Sequence, residues 1–302
     1  MGVDMFDYKL VEALAMVSRE GSFDKAAKAL YITQSAVSQR VKLLEESMGQ
    51  VLIARTTPPR MTVAGRKLLK HYLQVKRLED DLTEEIGNPA TGGFASLAVG
   101  INADSLAIWV LEAIHPFLLE EQVLMEIRVE DQEQTHRLLK DGEVIGCISS
   151  QEHPMQGCQI EYLGHMTYRM FAAPGFVAQW FPDGFTVENV CKAPALIFDR
   201  KDDLHHKYLH QVLGEVPTTL PAHYLPSVEK YCDFITLGHA YGMLPDQQST
   251  PLLHTNQIVD LSPDSHISVK LYWHCWRLKS RLLEKFTQQL TSRAKTLLRC
   301  SG

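Results

Sequence analysis

Residues Gly21–Glu45, GSFDKAAKALYITQSAVSQRVKLLE, decide how the rest of the chain is read. Ser22 is a fair helix N-cap, and Phe23, Ala26, Ala27 and Leu30 follow at i, i+3, i+4 and i+7, the spacing of one helix face. Tyr31 and Ile32 interrupt that rhythm. Thr33 is placed to cap a second helix, in which Val37, Val41 and Leu44 form one apolar stripe. Gln34, Ser35, Ser38, Gln39 and Lys42 fall on or near the opposite face. Hydroxyls, amides and an ammonium group there suit base edges and phosphates. The small pair Ala26-Ala27 lets two helix axes approach closely, as a helix-turn-helix requires. Two amphipathic helices with polar outer faces also occur in many proteins that never touch nucleic acid, so the flanking sequence must decide.

Upstream, Tyr8–Arg19 has Leu10, Leu14 and Val17 at helical spacing, with Ala13 beside them, and predicts a helix packed under the pair. Downstream, Met48-Gly49 ends the helical pattern and Val51-Leu52-Ile53 predicts a short strand. Arg55-Thr-Thr-Pro-Pro-Arg60 then carries a cation at each end of a loop that two prolines keep out of helix or sheet. A strand, a stiff basic loop and a further helix describe a wing, whose Arg55 and Arg60 reach for phosphates or the minor groove; without the preceding motif it would pass for a solvated turn. Thr62 predicts the start of a helix to about Ile86, roughly 37 Å long at about 1.5 Å per residue. Leu68, Tyr72, Val75, Leu82 and Ile86 give it a heptad-like seam, broken at Glu79, that predicts pairing with a second copy.

Charge follows the same division. The 302 residues carry a net charge of -6, but residues 1–77 hold +6 and the remainder -12. A basic head on an acidic body confines attraction for phosphates to one end. Six scattered cysteines without a Cys-x-x-Cys pair read as reduced, packed thiols. No apolar run approaches a membrane span and no signal peptide is evident, so no membrane partner and a cytoplasmic location are expected.

Asn88–Gly93 has the composition of a linker. Beyond it strands and helices alternate: strands at 97–101, 124–131 and 144–150, with helices from Ser105 and over 135–140, predict a parallel sheet binding ligands at its strand carboxyl ends. Residues 168–173 and 195–198 predict strands of a second such unit, 241–244 a third, 270–276 a late strand returning to the first lobe, and 280–298 a terminal helix. Two α/β lobes enclose a cleft for a small molecule. For a free amino acid, Ser105 at a helix start, assisted by Ser149 and Ser150, suits the carboxylate. Asp104, Glu130, Asp131, Asp199, Asp202 and Asp203 near strand ends suit cationic groups; solvated loop acids and helix caps are the plain alternative for most of them. His205, His206 and His210 lack the further spaced ligand a metal site needs. No Gly-x-Ser-x-Gly elbow supports hydrolysis. Neither a catalytic residue nor a metal nor a cofactor is expected.

The run Phe23-Asp-Lys-Ala-Ala through Thr33-Gln-Ser-Ala-Val-Ser-Gln-Arg-Val-Lys-x-Leu-Glu45, continued by Gly49, Leu52, Arg55, Thr62 and Gly65, closely resembles the N-terminal signature of LysR-type transcriptional regulators. Further motifs resemble the arginine- and lysine-responsive branch that governs amino-acid export: Arg55-Thr-x-Pro-Pro-Arg60, Asn102-Ala-Asp-Ser-Leu-Ala107 with Trp109, Val129-Glu-Asp131, Phe198-Asp199 with Asp202-Asp203 and His205, and Leu271-Tyr-Trp-His274. The resemblance implies an α+β multidomain chain. It has a winged helix-turn-helix head (1–61), a dimerisation helix and hinge (62–93), and a two-lobed effector domain like a periplasmic binding protein (94–302). Lobe I would comprise 94–165 and 266–302, and lobe II 166–265. Implied partners are double-stranded promoter DNA contacted by Thr33, Gln34, Ser35, Ser38, Gln39, Lys42, Arg55 and Arg60, a basic amino acid, further copies of the chain as a dimer or tetramer, and RNA polymerase. The effector would meet Ser105, Asp104, Glu130, Ser149, Asp199 and Ser227. One departure touches the ligand: Leu225-Pro226-Ser227-Val228-Glu229 stands where the branch has a polar Asn-Ser-Ser-Glu run. A regulator of the same type sensing another metabolite, and an α/β ligand-binding protein whose head serves only protein contacts, are the rivals.

Overall fold

The computed structural model describes residues 6–86, 94–130, 135–214 and 219–298. The expected linker over 88–93, Asp131 and Cys300 lie outside them.

Three helices, α1 (Tyr8–Glu20), α2 (Phe23–Ala29) and α3 (Gln34–Met48), build the head. Each starts on a side chain that accepts a hydrogen bond from a backbone N–H otherwise left unpaired: Asp7 from Lys9, Ser22 from Asp24, and Thr33 from Ala36. Val11, Leu14, Val17, Ala26, Val37, Val41 and Leu44 meet in one core with Leu52 and Ile53. The wing is a two-stranded antiparallel hairpin, β1 (Ile53–Ala54) and β2 (Arg60–Met61). The strand expected over 51–53 therefore starts two residues later. Leu52 carbonyl instead accepts from Thr62 N–H at 3.0 Å, and Thr62 hydroxyl donates to Val51 carbonyl at 2.8 Å.

Thr62 also accepts from Gly65 N–H at 3.1 Å to open α4 (Val63–Glu85). Gly65 permits this crossing, since a Cβ there would lie 2.0 Å from the Leu52 carbonyl oxygen. The expected seam divides in two. Leu68 and Tyr72 are buried in the head's own core. Leu82 (58% exposed) and Ile86 (71%) remain on the surface, joined by Leu78 (41%) rather than by Glu79.

The body is one nine-stranded sheet of order β4-β3-β5-β11-β6-β9-β7-β8, with β10 (Val259–Asp260) on β6. In chain order its elements are β3 (Ala95–Ile101), α5 (Ala103–Ser105), a π-helical turn (Leu106–Val110), α6 (Leu111–Glu120), β4 (Val123–Val129), α7 (Thr135–Asp141) and β5 (Gly146–Ser149). There follow β6 (Cys158–Ala172), α8 (Pro174–Trp180), α9 (Val187–Lys192), β7 (Ala195–Ile197), α10 (Leu204–Leu213), β8 (Ala222–Tyr224) and α11 (Val228–Thr236). The last are β9 (Tyr241–Pro245), α12 (Asp246–His254), β10, β11 (Ile267–Trp276) and α13 (Arg281–Leu297).

At one end β4, β3 and β5 run parallel, as their βαβαβ order requires. At the other, β7 is parallel to β8 and β9. The two lobes are joined by β6 and β11, antiparallel to each other along most of their length. The strand expected over 168–173 is thus the end of a long crossing strand that stops at Ala172 and runs antiparallel to β9, not a strand of a second parallel unit. The register shift between Leu271 and Tyr272 breaks the period-two signal that would have announced its full length. Phe117, Trp273 and Phe286 pack as an aromatic cluster under α13, with ring centroids 5.2 and 5.4 Å apart. Among the described residues no helix is long and apolar enough to cross a membrane.

Candidate nucleic-acid interface and effector cleft

The stripe that buries Val37, Val41 and Leu44 leaves the other face of α3 outward. Thr33, Gln34, Ser35, Gln39 and Lys42 are exposed and Ser38 is half-exposed. The Thr33 and Ser35 hydroxyls lie 2.9 Å apart, so the helix start presents a paired hydroxyl edge. Lys42 rests 3.6 Å from Glu46 in a solvent-facing ion pair of the kind that contributes little. Its ammonium is therefore available to a phosphate. Arg55 and Arg60 are exposed at the two ends of the wing loop.

Two residues of this face were not read as part of it. Tyr31, in the turn before α3, is 96% exposed and holds φ 55, a conformation that bulky residues rarely adopt. Its signal was the broken apolar pattern after Leu30. Glu45 positions the wing: one carboxylate oxygen accepts the N–H groups of Leu52 at 2.8 Å and Ile53 at 3.2 Å.

Between the lobes lies a cavity of about 210 Å3. Its wall is acidic: Asp104 from the helix after β3, Glu130 from the end of β4, and Asp199 and Asp202 from the loop after β7. These residues come from the carboxyl ends of parallel strands in both lobes, where side chains from separate loops converge. Tyr168 hydroxyl donates to Asp104 at 2.6 Å and fixes that carboxylate across the cleft. Asp199 accepts from the N–H groups of Lys201 (2.6 Å) and Asp202 (3.0 Å), so one of its oxygens holds its own turn. Asp202 in turn accepts from Leu204 N–H at 3.0 Å. Asp203 points elsewhere, pairing with Lys207 at 2.9 Å.

The serines are placed differently. Ser105 is fully buried beneath the wall formed by Asn102, Ala103 and Asp104, and Ser149 is buried at the end of an interior strand, where it accepts from Gln151 N–H at 3.2 Å. Ser227 caps α11, accepting from Lys230 N–H at 3.5 Å. None of the three belongs to the cavity wall, which takes Val228 instead.

The wall also holds polar groups that the strand-end argument passed over. Asn102 is 4% exposed and its Oδ1 has no partner among the described residues. His205 is 1% exposed. Burial, reinforced by neighbouring His206, pushes the His205 imidazole down to about 3, so it is neutral near pH 7. Tyr231 donates to Leu196 carbonyl at 2.5 Å, and burial raises its phenol well above the usual range. The π-helical turn directly after Ser105 marks the same end of the sheet, a distortion frequent at functional sites. His206 and His210 lie on α10 outside the cavity wall.

Comparison with known proteins follows the same two-part division. Residues 8–66 match the bacterial regulatory helix-turn-helix protein family of the lysR type, and residues 95–295 match the LysR substrate binding domain. The HTH-type transcriptional regulator ArgP of Pseudomonas aeruginosa (strain UCBPP-PA14) is 41% identical over 300 residues, 99% of each chain. The crystal structure of ArgP from Mycobacterium tuberculosis superposes with a TM-score of 0.86 at 35% identity, covering 98% of this chain and 100% of that one. Full-length LysG from Corynebacterium glutamicum with bound effector Arg gives 0.75 at 31% identity, covering 96% and 98%.

Proposed function

The chain belongs to the LysR family of DNA-binding transcription regulators, and from that premise we propose that its interlobe cleft senses a basic amino acid, arginine or lysine. The observation that carries the proposal is the set of carboxylates in that cleft. Asp104, Glu130, Asp199 and Asp202 converge from both lobes on one small cavity. Anions gathered so closely repel one another, and a cationic ligand bridging them draws the lobes together. Asn102 Oδ1 supplies a buried acceptor for an ammonium or guanidinium N–H. Neutral His205 adds a polar contact without opposing positive charge. Regulators named ArgP among the relatives, and a LysG structure with arginine bound, support the same ligand class.

The remaining assignments belong to this reading. Residues 1–61 form the head, 62–93 the linker and 94–302 the effector domain. Gln34, Ser35, Ser38 and Gln39 face base edges, while Thr33, Lys42, Arg55 and Arg60 face phosphates. The exposed Leu78, Leu82 and Ile86 pair α4 with a second copy, which gives a short recognition helix two half-sites to engage. The protein works in the cytoplasm at promoters, where it meets RNA polymerase, and regulates rather than catalyses.

Calorimetric titration of the full-length protein with arginine, lysine, neutral amino acids, nucleotides and organic acids tests the ligand. Saturable binding confined to the basic amino acids is expected. Silence toward both would overturn it, leaving a LysR regulator for another metabolite. Val228 in the cavity wall, within the segment that departs from the branch pattern, favours that second reading.

A further inference from the structure

A second, larger cavity of about 540 Å3 lies where the head, α4 and lobe I meet. We propose that it is a binding site for an amphipathic organic anion, one acidic group on an apolar body, separate from the interlobe cleft.

The cavity is closed on one side by direct contact between α4 and the C-terminal end of α7. Arg66 Nε pairs with Asp141 at 3.0 Å, and Gly142 approaches Lys70 so closely that a Cβ there would lie 2.7 Å from Lys70 Cβ. Within the wall, Arg77 is only 6% exposed. It donates from Nη2 to Asp81 Oδ1 at 2.5 Å, while its Nε and Nη1 have no partner among the described residues. Buried donors left unmet are costly, more so when charged, so an oxygen acceptor placed against them is favoured.

The other charges of the wall cancel, so Arg77 decides which group the cavity takes. Arg128 is held by Glu126 and Glu143, and Arg66 by Asp141. Arg19, Arg60 and Lys76 carry no ion pair among the described residues and are balanced there by Glu12, Asp80 and the second of the two carboxylates that share Arg128. The unmet Nε and Nη1 of Arg77 thus call for an acceptor group, and the wall lacks the acid excess of the interlobe cleft. Met16, Leu73 and Ile145 supply the apolar part of the wall. An occupant touches head, linker helix and lobe I together. It therefore stabilises the arrangement that forms the cavity, and head orientation and occupancy become linked.

8-Anilinonaphthalene-1-sulfonate, an aromatic sulfonate, is the probe, used with the full-length protein. Wild type should bind one equivalent saturably, with no displacement by excess arginine or lysine. Ala15→Phe, which fills the cavity from α1, should weaken binding at least tenfold. Arg77→Met combined with Asp81→Leu should do the same, and removing the pair together leaves no buried charge alone. Unchanged affinity in both variants, displacement by arginine, or absence of a saturable site would each overturn the proposal. The displacement arm separates this site from the cleft, so the result stands apart from the identity of the basic effector.

Discussion

The head and the body solve opposite electrostatic problems with opposite architectures. In the proposed reading the head exposes its working groups on α3 and the adjoining wing, where residues close in sequence build a surface for phosphates and bases. The body in that reading hides its working groups in a cleft, whose wall gathers Asp104, Glu130, Asp199 and Asp202 from three strand ends separated by up to a hundred residues. The head is consequently a packing problem, sensitive to any change in how its few elements cross. The cleft is a charge problem, tolerant of packing changes and sensitive to the loss of a single carboxylate.

Gly65→Ala should break this division most sharply. A methyl group 2.0 Å from the Leu52 carbonyl oxygen forces α4 off the wing. Calorimetric melting should show the head destabilised by about 3 kcal/mol or more, with the body's transition unmoved. Glu130→Gln is its counterpart in the cleft. Losing one charged acceptor should weaken arginine binding about tenfold to a hundredfold in calorimetric titration, while stability and effector-free DNA affinity stay at wild-type values.

His205 gives the cleft a pH signature. Its folded-state value of about 3 lies below the unfolded value of 6.5, so the unfolded chain binds the extra proton between them. The stability it contributes is present above about 6.5 and lost as pH falls toward 3. Urea unfolding at pH 7 and pH 5 should show wild type losing about 2 kcal/mol more than His205→Asn. In the head, Glu45→Gln keeps an acceptor for Leu52 and Ile53 but removes its charge, and should cost only about 1 kcal/mol. Glu46→Ala, which frees Lys42 from an exposed pair, should change stability by less than about 0.5 kcal/mol.

The same contrast explains what could be read without coordinates. Caps at Ser22 and Thr33, the stripe Val37-Val41-Leu44 and the outward set from Gln34 to Lys42 are local, so spacing alone displays them. The seam on α4 was half visible: periodicity identifies apolar positions but not which partner buries them, and Leu68 and Tyr72 are consumed by the head itself. In the body, strand-end position identified Asp104, Glu130 and Asp199 as wall residues. It did not separate them from Ser105 and Ser149, because whether a side chain faces the cleft or the core depends on the local helical turn and on pairing with a distant strand. Tyr168 and His205 carry no periodic mark. They join the wall because β6 crosses between the lobes and α10 packs His205 on Tyr241 of β9, both products of long-range contact.

The most direct measurement is the ratio of affinities for a selected operator duplex and a random duplex, by fluorescence anisotropy, for wild type, Gln39→Ala and Arg60→Ala. Gln39→Ala should lower the ratio by reducing operator binding alone. Arg60→Ala should weaken both duplexes equally and shallow the salt dependence by about one counterion. Equal losses on both duplexes for both variants would contradict the assignment of α3 as the element that reads sequence.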